Sequence, residues 1–267
     1  MELNESRETL RKAGLGLVAI SFDSAAVLSN FAKRKGIEFP LLSDPDSKII
    51  RDFGILNESV AKDNPFYGIP HPVTYIVDPK GVVISRTFDE DYRQRFTVGS
   101  ILTGKMDVRT GAAESQVETK HLKVTASSSN AKVRPGERIR LILDIDLKPG
   151  MHVYAPGVEG YIPIEWKMAD SAALQPSAAL YPPSKKLRLE AIQETVDVYA
   201  GRFTLQREVL ITAQAKGDPL VIEGTLRYQA CDDRMCYLPQ NVPLKWTLQY
   251  EPHDRTRVPA ELQRRVR

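Results

Sequence analysis

The hydrophobic pattern of the chain changes period along the sequence, and this change constrains the fold more than any other feature. In "RIRLILDIDLKPG", five aliphatic residues alternate with mostly polar ones: Ile139, Leu141, Leu143, Ile145 and Leu147. A period of two residues is typical of a strand with one face on a core and the other toward water. "REVLITAQA", "GTLRYQA" and "VPLKWTLQY" repeat the alternation without an intervening helix. This pattern predicts an all-β sandwich over residues 121–252.

Residues 1–102 show a different pattern, in which apolar strand-like runs alternate with helical periodicity. "GLVAISFD" is a short continuous apolar run, as in a strand that is covered on both faces. Ser24 offers an N-cap for the helix that follows, and Gly36 ends that helix. A short helix is predicted between Asp44 and Gly54, and the turn "DPKG" joins the strands "PVTYIVD" and "GVVISRTF". This order of elements predicts an α/β domain.

The predicted domains are separated by residues 103–120, where periodicity fades into small and charged residues, and this segment is interpreted as a linker. Residues 253–267 form a basic tail. A length of 267 residues suits two domains of ordinary size.

Composition excludes several classes of protein. The chain is 42% hydrophobic and 27% charged, as expected for a globular protein with a core. A net charge of +3 falls short of the clustered basic face of a nucleic-acid-binding protein. The sequence has no apolar run of the ~20 residues needed to cross a membrane. The opening "MELNESRETL" lacks the apolar core of a signal peptide.

Cys231 and Cys236 are the only two cysteines of the chain. If residues 232–235 form a four-residue hairpin loop, the two cysteines lie opposite each other, about 4.5–5.5 Å apart at Cα, which a disulfide can span. Leu226, Tyr228 and Ala230 share the core face of the preceding strand, so Cys231 is expected to point away from the core toward solvent at the hairpin tip.

Three roles for the cysteine pair are open from the residues alone. A structural bridge across so short a loop would contribute about 2 kcal/mol, which favours an exchangeable bond over a structural one. A zinc site would need two further ligands from among the histidines, which are His71, His121, His152 and His253. Redox exchange with a partner thiol is the interpretation we prefer.

The segment "RYQACDDRMCYLPQNVPLKW" resembles the cysteine-bearing hairpin of the N-terminal, immunoglobulin-like periplasmic domain of the protein-disulfide reductase DsbD. The likeness also includes "KPGMHVYAP" and "VDVYAGRFTLQREVLI". It implies an immunoglobulin-like sandwich in which Cys231 and Cys236 pass reducing equivalents, with Cys236 as the attacking thiol. It also implies that Asp197 and Tyr199 lie in a loop that caps the site and that Tyr154 lies beside it. The four-residue spacing and Tyr199 in place of a phenylalanine depart from the family.

The N-terminal segment "FPLLSDPD", followed by a proline before "TYIVD", resembles the alkyl hydroperoxide reductase/thiol-specific antioxidant (redoxin) family. The resemblance implies a thioredoxin-like fold with Pro72 at the position of the family's cis-proline, although a trans proline is the commoner case. It also implies a reactive cysteine, and the chain has none before Cys231. Met1 falls after the expected first core strand. We therefore expect a gap in the sheet of this domain. We also expect that either the start site has been assigned too late or the chain is a fragment. As given, the domain is not expected to reduce peroxides.

Together these features predict a thiol:disulfide oxidoreductase with an incomplete thioredoxin-like domain and an immunoglobulin-like sandwich. Activity is expected to need no metal and no organic cofactor. The expected partner is a thiol or disulfide protein, thioredoxin-like or DsbD-like, and not nucleic acid. The resemblance implies a periplasmic or otherwise extracytoplasmic location. Two alternatives stay open: a non-enzymatic sandwich that binds a protein and holds a structural disulfide, and a fragment of a peroxiredoxin-like antioxidant enzyme.

Overall fold

Contacts within the computed structural model divide the chain into two units, Met1–Ile101 with His253–Arg267, and Leu102–Pro252. The structure describes residues 2–88, 91, 93–111, 113–189, 193–253 and 259–262. The two-domain fold class predicted from the sequence is confirmed.

The first unit contains short helices and short strands. Its helices are α1 (Glu2–Glu5), α2 (Arg7–Lys12), α3 (Ala25–Lys35), α4 (Lys48–Asp52) and the start of α5 (Val98–Met106), with a 3-10 turn at Ala260–Leu262. Its strands are β1 (Ala19–Ser21), β2 (Leu41–Ser43), β3 (Val73–Val77), β4 (Val83–Phe88) and β5 (Arg95–Phe96).

Local sequence signals explain where α3 and the β3–β4 hairpin begin and end. The Ser24 side chain accepts a hydrogen bond from the Val27 amide, and Gly36 ends the helix at a φ of 58°, which glycine adopts without strain. In the hairpin, the Gly81 amide donates to the Asp78 carbonyl at 3.0 Å. The N-cap, the C-cap and the turn are therefore the ones predicted.

The sheet of the first unit is interrupted. β1 pairs in parallel with β2, and β3 pairs antiparallel with β4. Within the residues that the structure describes, no ladder joins these two pairs. The predicted gap between "GLVAISFD" and "PVTYIVD" is confirmed, and Val18 and Ile20 have exposed side chains beside it.

The second unit consists almost entirely of strands. They are β6 (Ala113–Glu118), β7 (Leu122–Ser128), β8 (Lys132–Val133), β9 (Glu137–Leu147), β10 (His152–Tyr154), β11 (Glu165–Met168), β12 (Leu174–Pro176), β13 (Lys185–Leu189), β14 (Glu194–Ala200), β15 (Arg202–Ile211), β16 (Leu220–Tyr228), β17 (Ala230–Cys231) and β18 (Gln240–Tyr250). The strand orders of the sheets are β12-β15-β9-β7-β6, β11-β16-β18-β8 and β13-β14-β10-β17.

The main core lies between the first two of these sheets and confirms the predicted sandwich. The alternate aliphatic residues of β9 are all buried there, together with inward residues of β7, β15, β16 and β18. Trp166 of β11 and Trp246 of β18 stack within it, with ring centroids 5.8 Å apart. Burial of this much aliphatic and aromatic surface is the main stabilising contribution to the domain.

Two expectations about this unit need correction. The outer face of β9 is less exposed than predicted, because Arg140 is buried with its guanidinium hydrogen-bonded to Gln206 and Glu208. The segment 103–120, interpreted as a linker, contains the end of α5 and the strand β6, which pairs antiparallel with β7. The strand was missed because "AESQVE" is mostly polar and shows no hydrophobic periodicity. Backbone hydrogen bonds to β7 hold it at the edge of the sheet.

Candidate functional site

The two cysteines form a disulfide where a hairpin turns between β17 and the segment leading to β18. Cys231 and Cys236 are opposite each other in an antiparallel bridge, with an S–S bond of 2.01 Å and a Cα–Cα distance of 4.0 Å. The Asp232 amide donates to the Met235 carbonyl at 3.0 Å, which closes the four-residue loop predicted from the sequence. The Cα atoms are slightly closer than expected. The pairing itself occurs as predicted.

Asp232 organises this loop with both of its carboxylate oxygens. Its Oδ1 accepts hydrogen bonds from the amides of Arg234 and Met235, at 2.9 and 2.8 Å. Its Oδ2 accepts from the Tyr237 hydroxyl at 2.7 Å. The hydrogen bond from Tyr237, followed by those from the two amides, lowers the pKa of Asp232 to about 2. The negative charge is therefore kept at the loop at all physiological pH values.

The two sulfurs have different surroundings. Cys236 is exposed, whereas Cys231 is only 1% exposed and packs in a small apolar cluster with Tyr154, Val196 and Val198. The prediction that Cys231 reaches solvent is therefore wrong. The alternation of residues correctly predicted that Cys231 points away from the main core. However, β17 belongs to the separate sheet β13-β14-β10-β17, and apolar side chains of that sheet bury the Cys231 side chain.

Tyr154 contacts the exposed sulfur. Its hydroxyl lies 3.6 Å from Cys236 Sγ, and it must be the donor because a disulfide sulfur carries no proton. The Tyr161 ring stacks on Tyr154 with centroids 4.2 Å apart, and the Tyr161 hydroxyl donates to Glu194 Oε2 at 2.8 Å. Burial, and secondarily the charge of Glu194, raises the pKa of Tyr154, so this hydroxyl keeps its proton.

Asp197 and Tyr199 do not lie in a capping loop, and this expectation needs correction. Both belong to β14, where Tyr199 is the partner of Val153 in β10. Tyr199 therefore faces the main core, on the side of the sheet opposite Cys231, and its hydroxyl donates to the Pro182 carbonyl at 3.0 Å.

Asp197 likewise makes its side-chain hydrogen bonds to residues other than the cysteines. Its carboxylate accepts hydrogen bonds from Ser184 and Lys186, both at 2.7 Å. Hydrogen bonds from Lys186 and then Ser184 lower the pKa of Asp197. Residues 190–192, between β13 and β14 in the sequence, lie outside the described residues. The resemblance could not show which positions of this segment face the disulfide.

His152 was predicted above only as a possible zinc ligand, but in the structure it is a neighbour of the disulfide. His152 lies directly opposite Cys231 in the ladder between β10 and β17. Its spacing of two residues from Tyr154 puts both side chains on the same face of β10. That spacing was the signal from which its position near the cysteines could have been inferred.

Exposed apolar residues flank Cys236 in the sequence. Met235 is 56% exposed and Leu238 is 87% exposed, one on each side of Cys236 in the sequence. Exposed apolar residues beside a reactive group are common where a protein partner docks.

The first unit offers no comparable site among the residues described. Its sequence contains no cysteine, because both cysteines of the chain lie in the second unit. The peptide bond before Pro72 is trans, since the cis bond found within the described part of the chain joins Asp218 to Pro219. The cis-proline assignment is therefore wrong. A trans bond is the intrinsically favoured state unless surrounding contacts select the cis form.

Both cysteine sulfurs are consumed by the disulfide, so neither is a free thiolate ligand for zinc in this state. Within the described residues, no group of three or more histidine, cysteine and acidic side chains is arranged to hold a metal ion. Nor does any helix among those residues have the length and apolar character needed to span a bilayer.

The fold and site define a class: a thioredoxin-like unit followed by a β-sandwich with a cysteine pair at a hairpin. Residues 1–86 match the AhpC/TSA family, and residues 118–245 match the family described as "Thiol:disulfide interchange protein DsbD, N-terminal". The chain thus carries an AhpC/TSA redoxin domain followed by a DsbD N-terminal domain, and both resemblances noted in the sequence are confirmed. Both families point to thiol oxidoreductase chemistry in general.

Two of the curated relatives are peroxiredoxins. Peroxiredoxin Bcp of Escherichia coli (strain K12) is 33% identical over 88 residues, which cover 33% of this chain and 55% of that protein. The chloroplastic Peroxiredoxin Q of Triticum aestivum is 37% identical over 79 residues, which cover 30% of this chain and 34% of that protein. The chain thus spans about half the length, or less, of these curated relatives.

Among solved structures, the N-terminal periplasmic domain of ScsB from Proteus mirabilis aligns with a TM-score of 0.40 and 16% identity, covering 52% of each chain. The N-terminal domain of DsbD from Neisseria meningitidis, in its reduced form, aligns with a TM-score of 0.28 and 20% identity, covering 41% of this chain and 77% of that one.

Proposed function

We propose that the β-sandwich exchanges its Cys231–Cys236 disulfide with a protein partner, passing two electrons in each cycle. The observation that carries the proposal is the asymmetry of the pair: Cys236 is exposed at the hairpin, whereas Cys231 is buried beneath it. A thiol that attacks a partner must be reachable, and a thiol that resolves the mixed disulfide needs only to reach its neighbour.

In the proposed reaction, the Cys236 thiolate of the reduced protein attacks one sulfur of a partner disulfide and releases the other as a thiolate. Cys231 then loses its proton and attacks Cys236 Sγ, which restores the internal disulfide and releases the reduced partner. Two electrons move from the cysteine pair to the partner, and the reverse sequence reduces the pair. The Tyr154 hydroxyl, 3.6 Å from Cys236 Sγ, stabilises the thiolate by donating a hydrogen bond.

The disulfide contributes little to holding the fold, which also favours a redox role. The bridge closes a loop with a sequence separation of 5. Chain-entropy reasoning gives such a bridge only about 2 kcal/mol, and the main core of the sandwich does not include either sulfur. A bridge that stabilises so little, with one sulfur in solvent, is suited to exchange.

The proposed partner is a thioredoxin-like protein outside this chain. Residues 1–102 contain no cysteine and therefore supply no thiol for this exchange. For the same reason we do not assign cysteine-dependent peroxidase activity to this chain. We propose an extracytoplasmic location, on the match to the DsbD N-terminal family and because disulfide chemistry persists in oxidising compartments.

A trapping experiment with matched variants tests the proposal. Cys231→Ser leaves the exposed thiol without its resolving partner, so it should accumulate a stable mixed disulfide with oxidised glutathione, measured by intact mass. Cys236→Ser leaves only the buried thiol and should react far more slowly. Equal, slow reaction of both variants would contradict the proposal and would favour a structural bridge in a protein-binding sandwich.

A further inference from the structure

His152 and Cys231 are neighbours on one face of the small sheet. They are Cα partners in the antiparallel ladder between β10 and β17. Residues directly opposite in such a ladder have Cβ atoms about 4.5–5.5 Å apart and point to the same side. The imidazole therefore lies beside the buried sulfur, whereas Tyr154, two residues further along β10, contacts the exposed sulfur.

One ring nitrogen of the buried His152 has no hydrogen-bond partner among the described residues. His152 is 7% exposed, and its Nε2 atom has no partner within the described residues. The ring packs edge-on against Tyr154, with centroids 5.6 Å apart. Buried polar atoms are nearly always hydrogen-bonded, so an unpartnered nitrogen beside a cysteine calls for a functional explanation.

Burial of the ring disfavours its charged form. Burial lowers the pKa of His152, and the Asp232 carboxylate in the hairpin loop opposes this shift. The strands β13 and β14 contribute only uncharged side chains to the cavity beside the ring, and Tyr154 is the titratable neighbour on β10. The remaining charged side chains that line this cavity are Lys123, Asp146 and Lys148.

The cavity beside His152 is open to the surface. It has a volume of about 620 Å³ and is lined by His152 together with the exposed turn residues Pro149, Gly150 and Gly201. His152 is thus a neighbour of Cys231 in the ladder and also lines a space that reaches the surface.

We propose that His152 is the base that accepts the proton of the Cys231 thiol when Cys231 resolves the mixed disulfide. This inference rests on the exchange function proposed above. As the Cys231 S–H bond breaks, its proton passes to Nε2, and its electron pair forms the bond to Cys236 Sγ. The bond between Cys236 and the partner sulfur breaks, and the partner leaves as a thiolate. The imidazolium then returns the proton to solvent through the cavity.

Cys231 needs such a base because its surroundings disfavour a thiolate. A thiol in an apolar cluster has a raised pKa, and the thiol form does not attack disulfides. Cys236 does not need the same help, since its sulfur is exposed and the Tyr154 hydroxyl can donate to it.

The reaction of the reduced protein with dithiobis(nitrobenzoate), an aromatic disulfide, separates the two steps. Attack by Cys236 releases a first coloured thiolate, and resolution by Cys231 releases a second. In His152→Phe, we expect the first release to be unchanged and the second to slow by about a hundredfold near neutral pH.

The pH dependence distinguishes a base from a packing residue. In the wild type, the second release should level off above the pKa of His152. In His152→Phe, it should instead rise by about tenfold per pH unit into the alkaline range, following ionisation of the Cys231 thiol. His152→Gln provides a second variant should the phenylalanine not fold, and it should show the same loss.

His121→Phe is the matched control, since His121 is also buried and both of its ring nitrogens lack a partner within the described residues. This control should release both thiolates as the wild type does. A folded His152→Phe or His152→Gln protein whose second release keeps the wild-type rate and pH profile would overturn the inference. Absence of the first release in the wild type would instead contradict the exchange function itself.

Discussion

The hydroxyl of Tyr154 lies 3.6 Å from Sγ of Cys236, while the ring of Tyr154 is buried in the cluster that covers Cys231. One side chain therefore contacts the exposed sulfur and shields the buried one. This arrangement makes the two sulfurs chemically different in the reduced protein, and several predictions depend on it.

Replacing Tyr154 with phenylalanine should raise the pKa of the Cys236 thiol by about one to two units, since a hydrogen bond to a charged group contributes roughly 1.5–3 kcal/mol and one pKa unit corresponds to about 1.4 kcal/mol. The pH dependence of iodoacetamide alkylation in a Cys231→Ser background measures this value. Tyr161→Phe is the control, because its hydroxyl bonds to Glu194 rather than to sulfur. An unchanged Cys236 pKa in Tyr154→Phe would show that the hydroxyl does not stabilise the thiolate.

Asp232 should make the stability of the oxidised domain depend on pH in the acid range. Its folded-state pKa of about 2 is below the ordinary value of 3.8, so its stabilising contribution is complete above about pH 4 and is lost as pH falls through 2. The Tm difference between wild type and Asp232→Asn should therefore shrink over this window, as measured by circular dichroism. A difference that stays constant from neutral pH down to pH 2 would contradict the assigned role of the carboxylate.

Leu238→Ser should slow exchange with a purified thioredoxin-like protein without slowing reaction with dithiobis(nitrobenzoate). Leu238 is 87% exposed, so the substitution should change the free energy of unfolding by less than about 0.5 kcal/mol. Leu180→Ser, another exposed leucine in the same unit, is the control. Equal rates of protein exchange in both variants would show that Leu238 is not part of the docking surface.

The features predictable from the sequence were those encoded locally. Ser24 and Gly36 fixed the ends of α3, because capping depends on residues within one turn of the helix. The alternation around Leu143 located β9 and its core face, because a strand beside one core repeats every two residues. The gap in the first sheet was expected from the resemblance to the redoxin family rather than from a local signal.

The features that could not be predicted depend on pairing between distant segments. The burial of Cys231 arises because β17 pairs with β10 rather than continuing the hairpin of β16 and β18. The place of Tyr199 on the core side depends on its register with Val153. The position of His152 opposite Cys231 has the same origin, since 79 residues separate them in the sequence.

The most direct test of the account is the reduction potential of the Cys231–Cys236 pair, measured by equilibrating the whole protein with glutathione buffers and quantifying free thiols. The account predicts a potential above about −300 mV, so that the pair is partly reduced at accessible glutathione ratios. A pair that stays fully oxidised, with a potential well below about −300 mV, would identify a structural bridge and contradict the exchange function.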